Sequence, residues 1–314
     1  MEQATSGSTA PNTPRLLVIR GGAIGDFILT LPAIRLLRQS VPRVHLEVLG
    51  YPGIAELAVK AGLADQVRSL GDPRLARLFA RNSELAPDLA DYLRGFTLVV
   101  SYLFDPDGIL KANLEALGVG TLLSCPHRVL PGQGHAAQQL ARPLERLAMF
   151  LEEPGWRAPL FPESAARRPP RRVAIHPGSG SLTKNWPADR WLILAGEIRS
   201  GWPEVEVCLV SGEAEAERGT LPDGLDDHFI RWHGLPLTEL TDRLATCDLF
   251  LGHDSGISHL ASACGVPCVL LFGPTDPSTW APPQPGVTVV QAPGGDLQSL
   301  SIDEVRRVVL PLMG

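Results

Sequence analysis

Short apolar runs alternate with longer amphipathic stretches along most of the chain. The run RLLVIR at 15–20 is rich in branched side chains and is typical of a buried strand. A helical stretch follows it to about Ser40. Further strands are predicted at 44–50, 96–102, 120–124, 172–176, 205–210, 248–252 and 266–273. Further helices are predicted at 53–60, 108–118, 135–151, 188–200, 213–219, 237–247, 255–265 and 302–313. This alternation predicts an α/β fold built on parallel, doubly wound sheets.

One segment interrupts the alternation. Residues 152–172 are rich in Pro and Arg and have no sustained period, which is typical of a linker between domains. We therefore predict a flexible tail at 1–14, a first domain at 15–160, a linker at 161–171 and a second domain at 172–314. Ligands gather at the carboxyl ends of parallel strands, so the cleft between the domains is the expected site.

Composition agrees with two globular domains and excludes some functions. The 314 residues are 44% hydrophobic and 20% charged, with a net charge of −6. Nucleic-acid binders are usually basic, so a nucleic-acid partner is not expected. No apolar run reaches the roughly 18 residues of a membrane helix, and the N-terminus does not resemble a signal peptide. The cysteines are odd in number and widely spread, which predicts a reducing, cytoplasmic compartment without disulfides.

The loop after the first predicted strand combines glycines with one acidic residue. Gly21, Gly22 and Gly25 allow a sharp turn and close approach of a ligand. Asp26 either caps the next helix or faces the cleft as a general base. A helix that begins at Thr30 would leave Asp26 in the loop and free for chemistry.

The same loop partly matches the dinucleotide fingerprint G-x-G-x-x-G. Residues 20–25 read R-G-G-A-I-G, and Glu47 stands near the end of the second strand, where a ribose-binding acid would lie. Arg20 takes the place of the first glycine, and its side chain does not allow the tight first turn. A dinucleotide-dependent oxidoreductase is therefore an alternative function.

Two loops of the second half carry groups that suit a nucleotide. The segment HPGSGSLTKNWP at 176–187 offers small residues around Ser179 and one cation, Lys184, although it lacks the Walker pattern. An ordinary turn with a solvated lysine explains it equally well. Glu213 and Glu215 begin a helix after another strand, where either favours the helix dipole or binds a ribose diol.

A further loop, GHDSGISHLASACG at 252–265, leads from a strand directly into a helix. Ser255 and Gly256 stand where free helix N–H groups would bind an anion. Asp254 is either the N-cap or a group for sugar hydroxyls, and His259 lies one turn farther on the same face. Thr275 is a candidate phosphate contact in the next strand-end turn.

Together these loops indicate different functions for the two halves of the chain. The anion-binding loops and Lys184 lie in the second half, whereas Asp26 lies in the first. This division predicts a nucleotide-diphosphate donor in the second half and an acceptor in the first. No D-x-D metal clamp accompanies them, so Lys184 and helix dipoles would neutralise the leaving diphosphate without a metal.

Three stretches resemble glycosyltransferase family 9, the heptosyltransferases of lipopolysaccharide assembly. They are GGAIGDFILTLPAIRLLR at 21–38, HPGSGSLTKNWPADRW at 176–191 and DLFLGHDSGISHLASACGVPCVLLFGPTDPSTWAP at 248–282. The resemblance implies a GT-B fold of two Rossmann-like domains that face a cleft. The acceptor-side domain comes first in the chain, and the domain that binds the nucleotide sugar comes second. It also implies an inverting, metal-independent transfer of heptose from ADP-heptose. ADP-heptose is then a substrate, and no cofactor is expected.

The resemblance assigns roles to individual positions. It places the proposed base on Asp26 and a phosphate contact on Lys184. Its D-T-G-x-x-H motif reads D-S-G-x-x-H here. Donor contacts implied in this way are Ser179, Ser181, Lys184, Glu215, Asp254, Ser255, Gly256, His259 and Thr275.

The first half departs from the family in one segment. Residues 101–119 do not resemble a basic loop that would receive a phosphorylated inner core. The expected acceptor is therefore a glycan or lipid-linked glycan of open identity, and a lipid anchor would bring the enzyme to the inner membrane face. A non-catalytic relative that binds sugar nucleotides is a further alternative.

Overall fold

A computed structural model describes residues 13–81, 83–161, 172–212 and 229–313. We call residues 13–161 the N-terminal half and residues 172–313 the C-terminal half. The predicted boundaries at 160 and 172 flank residues 162–171, which lie outside the described residues, so the domain division stays a prediction. The predicted helix at 213–219 also lies outside them.

The N-terminal half contains one five-stranded parallel sheet in the order β3-β2-β1-β4-β5. Its strands are β1 (Arg15–Ile19), β2 (His45–Gly50), β3 (Gln66–Ser69), β4 (Leu98–Ser101) and β5 (Thr121–Ser124). Its helices are α1 (Ile24–Ser40), α2 (Pro52–Lys60), α3 (Pro87–Arg94), α4 (Ile109–Ala116) and α5 (Ala136–Ala141). Three 3₁₀ turns cover Pro73–Phe79, Arg142–Leu147 and Gly155–Arg157.

The C-terminal half contains a six-stranded parallel sheet in the order β11-β10-β9-β6-β7-β8. Its strands are β6 (Arg172–Ile175), β7 (Glu206–Ser211), β8 (Ile230–His233), β9 (Leu249–His253), β10 (Cys268–Phe272) and β11 (Val287–Gln291). Its described helices are α6 (Ala188–Gly201), α7 (Leu237–Leu244), α8 (Gly256–Ala263), α9 (Pro277–Trp280) and α10 (Ile302–Val309). Short 3₁₀ turns cover Leu182–Lys184, Pro293–Gly295 and Leu310–Met313.

Both sheets reverse their strand order at one point. The reversal lies between β1 and β4 in the first sheet and between β6 and β9 in the second. Ligands of doubly wound sheets bind in the crevice beyond the carboxyl ends of the strands at such a switch point. The predicted parallel α/β fold with two doubly wound sheets is confirmed, and each sheet directs one switch point toward the site described below.

Burial explains which strands the sequence predicts. The central strands β4, β9 and β10 are buried at every position and read as continuous apolar runs, because helices cover both faces of the sheet. The edge strands β3, β8 and β11 were missed. They are exposed at several positions and carry polar residues, so their sequences do not form an apolar run.

The two halves share one apolar core. Phe27 and Leu31 of α1 belong to the same buried cluster as Leu260 and Ala261 of α8. At the periphery, the Lys60 Nζ atom lies 2.6 Å from the Asp242 Oδ1 atom. Helices α1 and α8 are therefore held against each other, and this contact builds the floor of the site.

All five cysteines are unpaired and buried. No helix in the described ranges combines the length and the apolar character needed to cross a bilayer.

Candidate functional site

The N-termini of α1 and α8 meet where the two halves touch. A Cβ atom placed on Gly256 would lie 2.7 Å from the Ile24 Cβ atom and 3.0 Å from the Gly25 amide nitrogen. A Cβ atom placed on Gly25 would lie 3.4 Å from the His259 ring. Only hydrogen fits at Gly256 without displacement of backbone. Two positive helix ends therefore converge on one point of the cleft, which favours an anion there.

Asp26 is the third residue of α1, because the helix begins at Ile24 and has Ala23 as its N-cap. It is therefore not the N-cap residue and does not stand in a loop before a helix that begins at Thr30, whereas its role as a general base facing the cleft stays a prediction. Its Oδ2 atom accepts a hydrogen bond of 3.3 Å from the Ala23 amide, and its side chain is 41% exposed. Thr30 lies inside the helix, where its hydroxyl donates to the Asp26 carbonyl at 2.7 Å. The carboxylate thus projects from a rigid first turn into the cleft.

The residue beneath Asp26 is a buried cation. The Arg20 side chain donates to the Asp26 carbonyl oxygen at 3.3 Å and lies 3.8 Å from the Oδ1 atom. Arg20 is 4% exposed, its guanidinium lies 5.6 Å from the Tyr102 ring centre, and its Nε atom has no hydrogen-bond partner. Burial lowers the pKa of Arg20 from its ordinary value, and the nearby Asp26 charge opposes that shift. Arg20 supplies fixed positive charge beside the carboxylate, a role that the sequence analysis missed.

The position of Glu47 argues against a dinucleotide-binding site, in which this residue would bind the ribose. This residue is 1% exposed, and its carboxylate accepts hydrogen bonds from Arg15 at 2.7 Å and Tyr92 at 2.9 Å. It stabilises the interior of the N-terminal half and does not face the cleft.

Lys184, Asp254 and Thr275 form one hydrogen-bonded group on the opposite wall. The Lys184 ammonium donates to the Asp254 Oδ2 atom at 2.6 Å, and the Thr275 hydroxyl donates to the same oxygen at 2.8 Å. The Asp254 side chain is 9% exposed and that of Lys184 is 30% exposed. A diphosphate that binds Lys184 must therefore compete with Asp254 for its charge.

The cap of α8 is Ser255 and not Asp254. The Ser255 hydroxyl accepts a hydrogen bond of 3.3 Å from the Ser258 amide. Asp254 is thereby left to pair with Lys184. His259, one turn into the helix, is 4% exposed, and burial lowers the pKa of its imidazole.

Ser179 and Ser181 organise the loop that carries Lys184. The buried Ser179 hydroxyl donates to the Ser181 carbonyl at 2.8 Å and contacts the Asn185 Oδ1 atom at 2.6 Å. The Ser181 hydroxyl lies 2.9 Å from the Thr183 hydroxyl. These bonds fix the loop after β6, and the backbone at Gly180 lines both cavities described below.

His253 anchors the same loop and was missed by the sequence analysis. Its Nε2 atom accepts a hydrogen bond of 2.8 Å from the Trp186 amide and lies 3.3 Å from Trp191 Nε1. Its Nδ1 atom faces the Gly178 carbonyl at 3.5 Å. Burial lowers the pKa of His253 to about 3. A neutral histidine at the end of β9 thus connects the Lys184 loop to the strand that leads into Asp254.

Two adjoining cavities lie over the helix junction. The first, of about 460 Å³, is called the polar cavity because its lining includes the charged or polar side chains of Asp26, Lys184, Asp254, His259 and Thr275. The second, of about 410 Å³, has a mainly apolar lining that includes Val210, Trp232, Leu235, Leu237 and Leu240. Ala23, Gly25, Gly180, Ser255 and Gly256 line both. The sequence analysis missed the apolar cavity, because its walls come from β7, β8 and α7, which are far apart in the chain.

The glycines of the first loop shape its path. Gly22 has a φ of +102°, a conformation that residues with a side chain rarely adopt. A Cβ atom on Gly21 would lie 3.4 Å from the Leu70 side chain, so the loop passes close to the end of β3. Glu213 and Glu215 lie outside the described residues. Gly21 and Gly22 line neither cavity. The expected residues that line one or both cavities are Gly25, Asp26, Ser179, Ser181, Lys184, Asp254, Ser255, Gly256, His259 and Thr275.

No group of three or more His, Cys, Asp or Glu side chains within the described ranges is arranged to hold a metal ion.

We expect Gly256→Ala to lower the free energy of unfolding by about 1–3 kcal/mol, because the new methyl group overlaps Ile24 across the junction. Urea denaturation measures the change. Gly180→Ala is the matched control, since a Cβ atom there meets nothing within 4 Å. Equal stability of the two variants would contradict the close contact.

Because His253 is buried, we predict that the free energy of unfolding decreases in acid. Its pKa is lowered to about 3 in the folded chain, so the unfolded chain binds more protons between about pH 3 and its ordinary value of 6.5. The stabilisation is complete above about pH 6.5 and decreases as the pH falls below it. His253→Gln should reduce the loss of unfolding free energy between pH 7 and pH 5 by about 2 kcal/mol.

Urea denaturation at the two pH values measures this difference. His127→Gln, at a partly exposed histidine outside this hydrogen-bond network, serves as the control variant. An undiminished pH dependence in His253→Gln would refute the prediction.

Comparisons with known proteins agree with this geometry. Residues 151–305 match the family model described as glycosyltransferase family 9 (heptosyltransferase). Over 306 residues the chain is 26% identical to lipopolysaccharide heptosyltransferase 1 of Pseudomonas aeruginosa, covering 84% of this chain and 79% of that protein.

Two solved structures share the fold. The glycosyl transferase family 9 protein of Veillonella parvula superposes with a TM-score of 0.76 at 18% identity, covering 98% of this chain and 99% of the other. The heptosyltransferase WaaC of E. coli, solved with ADP-2-deoxy-2-fluoro heptose, superposes with a TM-score of 0.68 at 19% identity, covering 95% and 99%. The expected GT-B fold is thereby confirmed. The comparisons identify the chain as a glycosyltransferase that is similar to family 9 over residues 151–305 and to a lipopolysaccharide heptosyltransferase over most of its length.

Proposed function

We propose that the protein transfers a heptose from ADP-heptose to a saccharide acceptor in lipopolysaccharide biosynthesis. The observation that carries the proposal is the polar cavity, where Asp26 of one half faces Lys184, Asp254 and Thr275 of the other. A carboxylate on one wall and a cation beside helix N-termini on the other suit acceptor activation and diphosphate departure respectively. The names of the relatives support this choice, since they are heptosyltransferases and one was solved with an ADP-heptose analogue.

The two adjoining cavities suit the parts of such a donor. The apolar cavity, with Trp232 and Leu235 in its wall, suits the adenine base. The shared wall at Gly25 and Gly256 carries two helix N-termini, which suit a diphosphate. The polar cavity then receives the heptose, with Asp254 and Thr275 near its hydroxyls.

The transfer needs one proton acceptor and one stabilised leaving group. Asp26 removes the proton from an acceptor hydroxyl, and that oxygen attacks the anomeric carbon of the heptose. The bond from the anomeric carbon to the diphosphate oxygen breaks, and ADP leaves with the electron pair. In-line attack inverts the anomeric configuration. Lys184 and the helix N-termini neutralise the departing charge, so the proposed reaction uses no metal ion and no cofactor.

The similarity to glycosyltransferase family 9 argues against a dinucleotide-dependent oxidoreductase. Its physical obstacle is Arg20, which stands where the dinucleotide fingerprint needs its first glycine and pairs with Asp26 instead. The proposed acceptor is anchored to a lipid, so we further propose that the enzyme works at the inner face of the inner membrane.

We expect Asp26→Asn to lower kcat at least 100-fold, because the amide cannot accept the acceptor proton. The affinity for ADP should stay within about twofold, since the amide keeps the shape of the first turn of α1. Release of ADP from ADP-heptose, with heptose-deficient lipopolysaccharide as acceptor, measures the rate, and calorimetry measures ADP binding. Asp88→Asn, which alters an exposed carboxylate of α3 outside the described cavities, is the control. An unchanged rate in Asp26→Asn would refute the assignment of the base.

We expect Lys184→Ala to weaken ADP binding by roughly 10- to 100-fold, because one charged contact contributes about 1.5–3 kcal/mol. The loss also leaves Asp254 unpaired beside the diphosphate. Isothermal titration calorimetry with ADP measures the affinity. Lys111→Ala is the matched control, since Lys111 lies in the N-terminal half near Glu115. Equal ADP affinities of Lys184→Ala and the unaltered chain would contradict the proposed donor site.

A further inference from the structure

A third pocket lies in the N-terminal half, outside the two cavities of the donor site. It has a volume of about 260 Å³ and is built by the loop after β4 and the residues after β5. This volume lies below the roughly 300–1,000 Å³ of pockets for drug-sized ligands, so it suits a single ring. Its lining includes Leu103, Phe104, Lys111, Ser124 and His127.

The most exposed part of this pocket is an aromatic side chain. Phe104 is 65% exposed, the largest fraction among the large apolar side chains of the described residues. Its ring centre lies 4.5 Å from that of His127, with the planes tilted by 50°. The imidazole thus supports the Phe104 ring, while most of the ring surface faces solvent. A ligand that covers this ring face would remove apolar surface from water, which is favourable.

The charged groups of the pocket are already used within the protein. The Asp105 carboxylate accepts hydrogen bonds from the Leu110 amide at 3.1 Å and the Lys111 amide at 3.0 Å. The Lys111 ammonium lies 3.9 Å from the Glu115 carboxylate. An aromatic surface and the exposed Ser124 remain. This combination suits a pyranose ring, which presents C–H groups on one face and hydroxyl groups at its edge.

The pocket continues from the acceptor side of the reaction site. It lies beyond the carboxyl ends of β4 and β5, beside the switch point between β1 and β4. A Cβ atom on Gly21 would lie 3.8 Å from the Leu103 side chain, and one on Gly22 would lie 3.2 Å from the Asp26 Oδ2 atom. A continuous wall therefore runs from Asp26 through the glycine loop to Phe104.

We propose that Phe104, supported by His127, is a stacking surface for a pyranose ring of the saccharide acceptor. The inference rests on the proposed function, because it takes the acceptor hydroxyl to be at Asp26. It explains the departure of residues 101–119 from a basic loop, since recognition here depends on a ring face and not on phosphate groups. In this proposal Phe104 contacts the acceptor and not the donor, and it selects the acceptor by the shape of its sugar ring.

Kinetics of four variants test the stacking surface, with ADP-heptose as donor. The acceptor probe is the deacylated saccharide of heptose-deficient lipopolysaccharide. We expect Phe104→Ala to raise the KM for this saccharide by about 3- to 10-fold, the range of one aromatic contact. The KM for ADP-heptose should stay within twofold, and Phe104→Trp should keep both values near those of the unaltered chain. His127→Ala should raise the acceptor KM in the same direction.

The control is Phe150→Ala. Phe150 is 56% exposed but lies beside Arg35 and Gln39, toward the other end of α1. An unchanged acceptor KM in Phe104→Ala would overturn the proposal, and so would an equal rise in Phe150→Ala.

Saccharide binding in the presence of ADP, followed by ligand-observed NMR, gives a readout that does not need turnover. Binding that is lost in Phe104→Ala supports the stacking surface. No binding to the unaltered chain would overturn it. ADP affinity measured on the same samples tests the donor site separately, so failure of the proposed function is distinguishable from failure of this inference.

Discussion

The contact between the N-termini of α1 and α8 is the constraint on which the site depends. Gly25 and Gly256 bring two helices from different halves so close that a single methyl group would overlap backbone or Ile24. Each helix end carries partial positive charge, and two such ends at one point would repel each other without a compensating anion. The apolar cluster that contains Phe27 and Leu260 holds them together. Core packing therefore maintains an electrostatic arrangement that an anionic ligand would stabilise.

The local charges of the site are paired with one another. Lys184 contacts Asp254, and Arg20 lies beside Asp26. A chain with a net charge of −6 has no general attraction for a diphosphate, so the attraction must come from these few groups. Exchange of the Asp254 contact for a diphosphate contact would let Lys184 respond to the donor, while Asp254 would become available to sugar hydroxyls. Arg20 is buried and keeps its place, so the environment of the proposed base does not depend on the donor.

The two switch points give the halves different chemistry from the same topology. In the second sheet the loops after β6 and β9 carry one cation, Lys184, together with hydroxyls and a helix end, which suit a nucleotide diphosphate. In the first sheet the first turn of α1, which follows β1, carries a carboxylate. The loop after β4 carries an exposed aromatic ring, and these two groups suit a saccharide. Because the switch points face the helix junction, donor and acceptor would meet there.

The sequence by itself determined the alternation of central strands and helices, and with it the parallel α/β fold. It also placed Asp26, Lys184 and Asp254 at strand ends, because buried strands read as apolar runs and their loops follow directly. Edge strands such as β3 and β8 escaped prediction, since their exposure removes the apolar signal. Only the tertiary structure decided that Asp26 stands inside the first turn of α1, that Lys184 pairs with Asp254, and that Arg20 and His253 support these groups. These contacts join residues that are distant in the chain or depend on the residue at which a helix begins. A local hydrophobic pattern indicates neither long-range contacts nor the first residue of a helix.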